Sequence, residues 1–73
     1  MEMILVDSTN LAAVGYDFDT STLRISFLKG GTYDYYSVPL DVYEGLMSAS
    51  SKGEYHNLYI KKGGYTYSRV WFR

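Results

Sequence analysis

Cysteine is absent, proline and histidine occur once each, and no apolar run approaches the length that crosses a bilayer. Without cysteine there is no disulfide framework and no thiol nucleophile. The single histidine, His56, stands among scattered carboxylates and lacks the clustered spacing of zinc or calcium sites. Nor does anything place it beside Ser51 or Asp17, so base, nucleophile and orienting group do not converge. Lys29-Gly30-Gly31 and Lys62-Gly63-Gly64 are glycine turns without the lysine, the serine or threonine, and the helix that a phosphate loop needs. These absences predict a non-catalytic protein with no metal and no cofactor. A spanning helix needs about 18 apolar residues, and the start Met-Glu-Met-Ile lacks the basic opening of a signal peptide. The expectation is a cytoplasmic protein that does not enter a membrane.

What the chain has in plenty is tyrosine: nine, with one tryptophan and three phenylalanines among 73 residues. That length makes one domain, 1–73. A chain near 60 residues buries only about 60% of its unfolded surface, so the core is thin. Aromatic rings bury large area per residue while a phenol stays wet at the rim, so a core of amphipathic rings accounts for most of the tyrosines more simply than a dedicated binding surface. The net charge of −1 argues against strong unspecific attraction to polyanions, but the charge is lopsided. Residues 1–49 carry −5 and residues 50–73 carry +4, which makes a basic face on a slightly acidic protein.

The stretch Thr22–Leu46 organises the rest. Leu23, Ile25 and Phe27 share one strand face at period two, and Tyr33 and Tyr35 share another. A two-residue turn at Gly30-Gly31 would set Phe27 against Asp34. A three-residue loop, Lys29-Gly30-Gly31, sets Phe27 against Tyr33, Ile25 against Tyr35, and Ser26 against Asp34 with Arg24 one diagonal away. The second register stacks aromatic on aliphatic and is the one expected. Upstream, Leu11 to Phe18 reads as a strand with Val14, Tyr16 and Phe18 on one face, and Gly15 marks a bulge or a close backbone approach. Met3 to Val6 reads either as a short edge strand or as an arm packed on the body. Connections this short leave an antiparallel meander as the order of the three strands.

Val38-Pro39 opens a helix, with proline at the first helical position and Leu40, Tyr43, Leu46 and Met47 as its buried stripe. Gly45 inside it points to tight packing against the sheet. Ser51 and Glu54 have capping-box spacing ahead of a second helix over about Lys52 to Lys61, which Gly63-Gly64 stops. Its inner face is either His56, Tyr59 and Ile60 or Tyr55, Leu58 and Tyr59. Tyr65 to Arg73 then alternates as a last strand or tail. The fold class is α+β: a three-stranded antiparallel β-meander, two short helices and a C-terminal closing strand.

Single nucleic-acid strands are held by aromatic platforms with basic side chains alongside. Lys61, Lys62, Tyr65, Tyr67, Arg69, Trp71 and Arg73 bring those residue types together and are the candidate nucleic-acid-binding set. An edge strand kept soluble by its charges is the more economical account of the same residues, since five basic groups oppose few phosphates. The other reading is a protein-interaction module, with a homodimer through Trp71-Phe72 or a free strand edge as its simplest form.

The ordered set of residues also resembles a known family. Val14-Gly15-Tyr16-Asp17, Thr22-Leu23-x-Ile25-x-Phe27, Gly31-x-Tyr33-x-Tyr35, Val38-Pro39-x-x-Val42-Tyr43-x-x-Leu46, Ala49-x-Ser51-x-Gly53-x-Tyr55-x-Asn57-x-x-Ile60 and Tyr65-x-Tyr67 together resemble the KTSC domain. This is a short bacterial and phage module named for its occurrence at the C-terminus of some lysyl-tRNA synthetases. The match runs from Ser8 to Val70, with Tyr33, Tyr35, Val38 and Pro39 as its structural motif. The resemblance brings no established activity; RNA binding is what the company of the synthetases implies. His56 stands where an aromatic residue before asparagine is usual, and Lys61 where arginine usually follows isoleucine. Lysine forks onto phosphate and stacks on bases less well than arginine, which weakens that implication slightly.

Overall fold

The computed structural model describes residues 1–71. Five antiparallel strands lie side by side in chain order: β1 Met3–Leu5, β2 Leu11–Asp17, β3 Thr22–Phe27, β4 Gly31–Tyr35 and β5 Tyr67–Val70. The expected meander is β2-β3-β4, and the sheet is larger than three strands. Met3–Leu5 pairs with β2, Met3 opposite Gly15 and Leu5 opposite Ala13, so this segment is an edge strand. The closing segment is the opposite edge, paired along β4.

The hairpin register differs from the expected one by two residues. Ile25 faces Tyr33, Leu23 faces Tyr35, and Phe27 faces Gly31. The turn is Leu28–Gly30 in place of 29–31, because Gly31, at φ 83°, supplies the left-handed backbone as β4 begins. A shift of two keeps every side chain on its expected face. Tyr35 is buried and Tyr33 half-buried on the helix side, with Leu23 and Ile25. On the other face Arg24 lies directly opposite Asp34, not diagonal to it. Its guanidinium donates twice to the carboxylate, Nε to Oδ1 at 2.7 Å and Nη2 to Oδ2 at 2.9 Å. That bond raises the arginine's pKa, against a smaller opposing effect of burial. Thr32 donates to Ser26 at 3.1 Å, and the Tyr36 phenol meets the Ser68 hydroxyl, so this face is a polar ladder.

In β2 the register shifts between Leu11 and Ala13, and this bulge puts Leu11 on the same face as Val14 and Tyr16. Phe18 falls beyond the strand and is exposed, its ring edge-on to Tyr16. Gly15 is the close approach: a Cβ there would meet the Met3 sulfur at 2.6 Å.

Helix α1, Leu40–Ser48, follows Pro39, which occupies the cap with ψ 150° and not the first helical position. Its carbonyl accepts from Val42 and Tyr43. Val38 is fully buried and held from both sides, its N–H donating to Ser21 and its carbonyl accepting from the Tyr16 phenol at 2.5 Å. Leu46 is the centre of the buried stripe, flanked by Val42, Tyr43 and Met47. Leu40, the first residue of α1, is 44% exposed although it shares a helical face with Tyr43 and Met47. Gly45 packs on Tyr55 and not on the sheet: a Cβ would sit 2.7 Å from that ring's Cζ.

Helix α2, Lys52–Tyr55, is capped as its spacing implies, the Ser51 hydroxyl accepting from the Glu54 N–H at 3.4 Å. The chain then widens into a π-helical segment, His56–Lys61. Of the two expected faces, that of His56, Tyr59 and Ile60 is met at His56 and Ile60 and fails at Tyr59. His56 and Ile60 are buried, while Leu58 and Tyr59 face solvent. Gly64, at φ 80°, ends it. Helices and sheet close on one core of Leu11, Val14, Tyr16, Leu23, Ile25, Tyr35, Val38, Leu46 and Ile60.

Candidate functional site

The helical layer covers β2 to β4, while β5 carries Tyr67 opposite Tyr35 and Arg69 opposite Tyr33, on that same face. Tyr67 is 65% exposed there. Between the π-helical segment and these strands lies a cleft of about 680 Å³.

Its floor is polar as well as aromatic. The Tyr35 phenol and the His56 Nε2 are 3.0 Å apart, with the two residues only 7% and 8% exposed. Burial holds the imidazole's pKa below its usual value, and the positive charge of Lys61 acts in the same direction. Burial raises the Tyr35 pKa, with smaller contributions from the phenols of Tyr33 and Tyr67. Both shifts favour the neutral forms, so the bond joins a phenol to a neutral imidazole whose tautomer sets which atom donates and leaves Nδ1 the complementary role. Phe27 packs edge-on against the imidazole at 5.0 Å, and Tyr67 lies 5.8 Å from Tyr35 and 6.2 Å from Tyr33. Tyr65, Asn10, Asn57, Ile60 and Lys61 also line it, with Gly30 and Gly53. Asn10 lies over Gly53, where a Cβ would stand 2.9 Å from the amide carbon.

Beside the cleft, the Arg69 guanidinium lies over the Trp71 ring at 4.1 Å and near the Tyr33 ring at 5.8 Å. Gly31 leaves room for it, since a Cβ there would meet Nη2 at 2.7 Å. Stacking orients the guanidinium while leaving its donor edge open.

Of the candidate binding residues, Lys61, Tyr65 and Tyr67 line the cleft, and Arg69 and Trp71 adjoin it. Lys62 is exposed but not part of the lining, and Arg73 lies outside the described residues. Tyr33 and Tyr35, read from sequence as framework, serve the site too, while Val38 and Pro39 only position α1. Phe27, His56, Asn10 and Asn57 carried no spacing signal for a site, because they come from separate elements that only packing brings together. Among the described residues no three histidines, cysteines or carboxylates gather as metal ligands, and no helix is long and apolar enough to cross a membrane.

The family model of the KTSC domain matches residues 7–65. The chain belongs to the KTSC domain family. This KTSC domain is 34% identical to a KTSC domain protein from Yersinia pestis, whose crystal structure superposes with a TM-score of 0.91 over 96% of this chain and 97% of that one. It is 33% identical to an uncharacterized protein of Stutzerimonas stutzeri over 96% of this chain and 99% of the relative. It is also 42% identical, over 75% of its length, to a lysine–tRNA ligase of Trichormus variabilis, of which it spans 10%. The stretch matched by the family model contains the cleft lining except Tyr67 and ends before β5.

Proposed function

We propose that this KTSC domain is a non-catalytic module that binds single-stranded RNA along the cleft and β5. The carrying observation is the Arg69 guanidinium stacked on Trp71, beside Tyr67 and Lys61 on one face. Rings of this kind stack bases while cations meet the flanking phosphates. The relatives named lysine–tRNA ligases support an RNA partner. This reading places the domain in the cytoplasm.

Lys61, Lys62 and Arg69 give about three phosphate contacts, so log K falls against log salt with a slope of about −2. Fluorescence anisotropy of labelled RNA oligonucleotides at several salt concentrations tests this. Arg69→Ala should weaken binding and flatten the slope by about 0.7. No anisotropy change at low salt would end the reading.

A homodimer is the second reading, and the position of β5 favours it. The strand is a sheet edge with exposed Tyr67 and, just beyond it, Trp71 at 75%. Sedimentation velocity at micromolar concentration separates the two, since a dimer that buries this face leaves less of it for RNA.

A further inference from the structure

Resting on the RNA reading, we infer that the cleft takes one unstacked nucleobase out of the strand, between the Tyr67 and Tyr33 side and the π-helical segment. Its volume of about 680 Å³ lies within the roughly 300–1,000 Å³ of small-molecule sites, whereas a flat stacking platform has no such depth. The lining is mixed in a way that fits a base and not an apolar side chain. Rings of Phe27, Tyr33, Tyr65 and Tyr67 offer π-faces. Between them stand Asn57, Asn10 and the Tyr35–His56 pair. An aliphatic or phenyl occupant would cover the remaining hydrogen-bonding capacity of those groups without using it, while a base has both π-faces and a hydrogen-bonding edge.

The floor is equipped for such an edge. Whether it donates to Nε2 or accepts from it, the neutral Tyr35 phenol keeps a lone pair to accept another bond, and the neutral imidazole presents Nδ1 in the complementary role. The imidazole Nδ1 forms no hydrogen bond among the described residues, and it is not a buried orphan, so it remains reachable. The floor thus presents an acceptor and a donor held by packing before any ligand arrives. Lys61 on the rim and Arg69 beside it put positive charge where the phosphates flanking an inserted base would pass. This puts the hydrogen-bonding floor within the family match, while β5 supplies the Tyr67 ring and the backbone contacts.

The test uses the whole domain in ¹H–¹⁵N and imidazole NMR spectra, titrated with the four ribonucleoside 5′-monophosphates and with ribose 5-phosphate as the base-free control. The expected result is base-dependent shifts at His56, Asn57 and Tyr67 that ribose 5-phosphate does not reproduce. Asn57→Trp, an exposed position that fills the cleft, should abolish them. Tyr67→Ala, on the open edge, should weaken oligonucleotide binding by about 5- to 150-fold, the span measured for loss of one stacked base. If oligonucleotides bind while the cleft resonances stay still and Asn57→Trp binds as well as the natural chain, the base pocket is refuted and the RNA reading stands. Equal shifts with ribose 5-phosphate refute it in the same way. If neither monophosphates nor oligonucleotides bind, both readings fall.

Discussion

Removing one oxygen from Tyr16 tests how the sheet holds the helical layer. The Tyr16 phenol donates to the Val38 carbonyl across 22 residues of chain, from a ring 8% exposed to a residue fully buried. Tyr16→Phe keeps the ring, its near-parallel stacking on Tyr43 at 4.7 Å and its edge contact with Phe18. What disappears is the bond, and with it the partner of a carbonyl that water does not reach. Leaving a buried acceptor unpaired costs about 1–3 kcal/mol, partly offset by the more apolar ring, so a net loss of about 1–2 kcal/mol is expected. For a domain of this size 1 kcal/mol corresponds to about 4–8 °C in Tm, so a drop of roughly 5–15 °C follows. Urea unfolding should give a lower midpoint at an unchanged m-value, because the surface exposed on unfolding stays the same. Tyr43→Phe is the control. Its phenol bonds to no described residue, and it should change stability by less than about 0.5 kcal/mol. The Val38 amide, bonded to Ser21 at 2.9 Å, should lose hydrogen-exchange protection in Tyr16→Phe. Equal stability of the two variants would refute the argument, since it would mean that ring packing alone docks Val38.

Stability should also depend on pH through His56. Its folded pKa lies below the unfolded value of about 6.5, so on acidification the unfolded chain takes up the proton first. Stability should be flat above about pH 6.5, fall below it, and level off beneath the folded pKa; a slope that persists in His56→Gln would rule this out. A double-mutant cycle on Arg24 and Asp34 should return a coupling of about 1–2 kcal/mol, above the 0–1 typical of exposed pairs. The two side chains are 27% and 12% exposed, and a coupling near zero would show that the fork is ornamental. Gly31→Ala should lose about 1–2 kcal/mol from its left-handed backbone and shift Trp71 fluorescence by displacing Arg69. In an Arg69→Ala background the stability loss should remain and the fluorescence change should vanish.

The elements that local chemistry dictates were legible in advance. Alternation placed Tyr33 and Tyr35 on the face of Leu23 and Ile25, and Ser51 with Glu54 marked the start of α2. Tyr67 and Arg69 emerged on one face because period two survives any register shift by two. Legibility failed wherever a residue's partner lies far along the chain. Gly45 reads as a contact with the sheet until Tyr55 is seen beside it, and Leu40 fits a helical stripe whose buried part proves to lie further along the helix. Both alternative faces of the second helix assumed 3.6 residues per turn and put Tyr59 inside, whereas the π-helical turns leave it exposed and bury His56 and Ile60.

The site divides the same way. The basic and aromatic residues near the C-terminus announce themselves by type and spacing, because neighbours on one strand need no tertiary contact to share a face. The cleft does not, because Phe27, Tyr35 and His56 come from three elements and meet only when the π-helical segment folds over the sheet. The sequence by itself determined strand faces, the Ser51 cap and the basic, aromatic character of the last strand, all set by chemistry within a few residues. Tertiary structure alone decided which faces were covered, where the cover stopped, and that a lone histidine became the polar floor of a cleft. Burial and long-range hydrogen bonding depend on what arrives from elsewhere in the chain, and no local pattern encodes that.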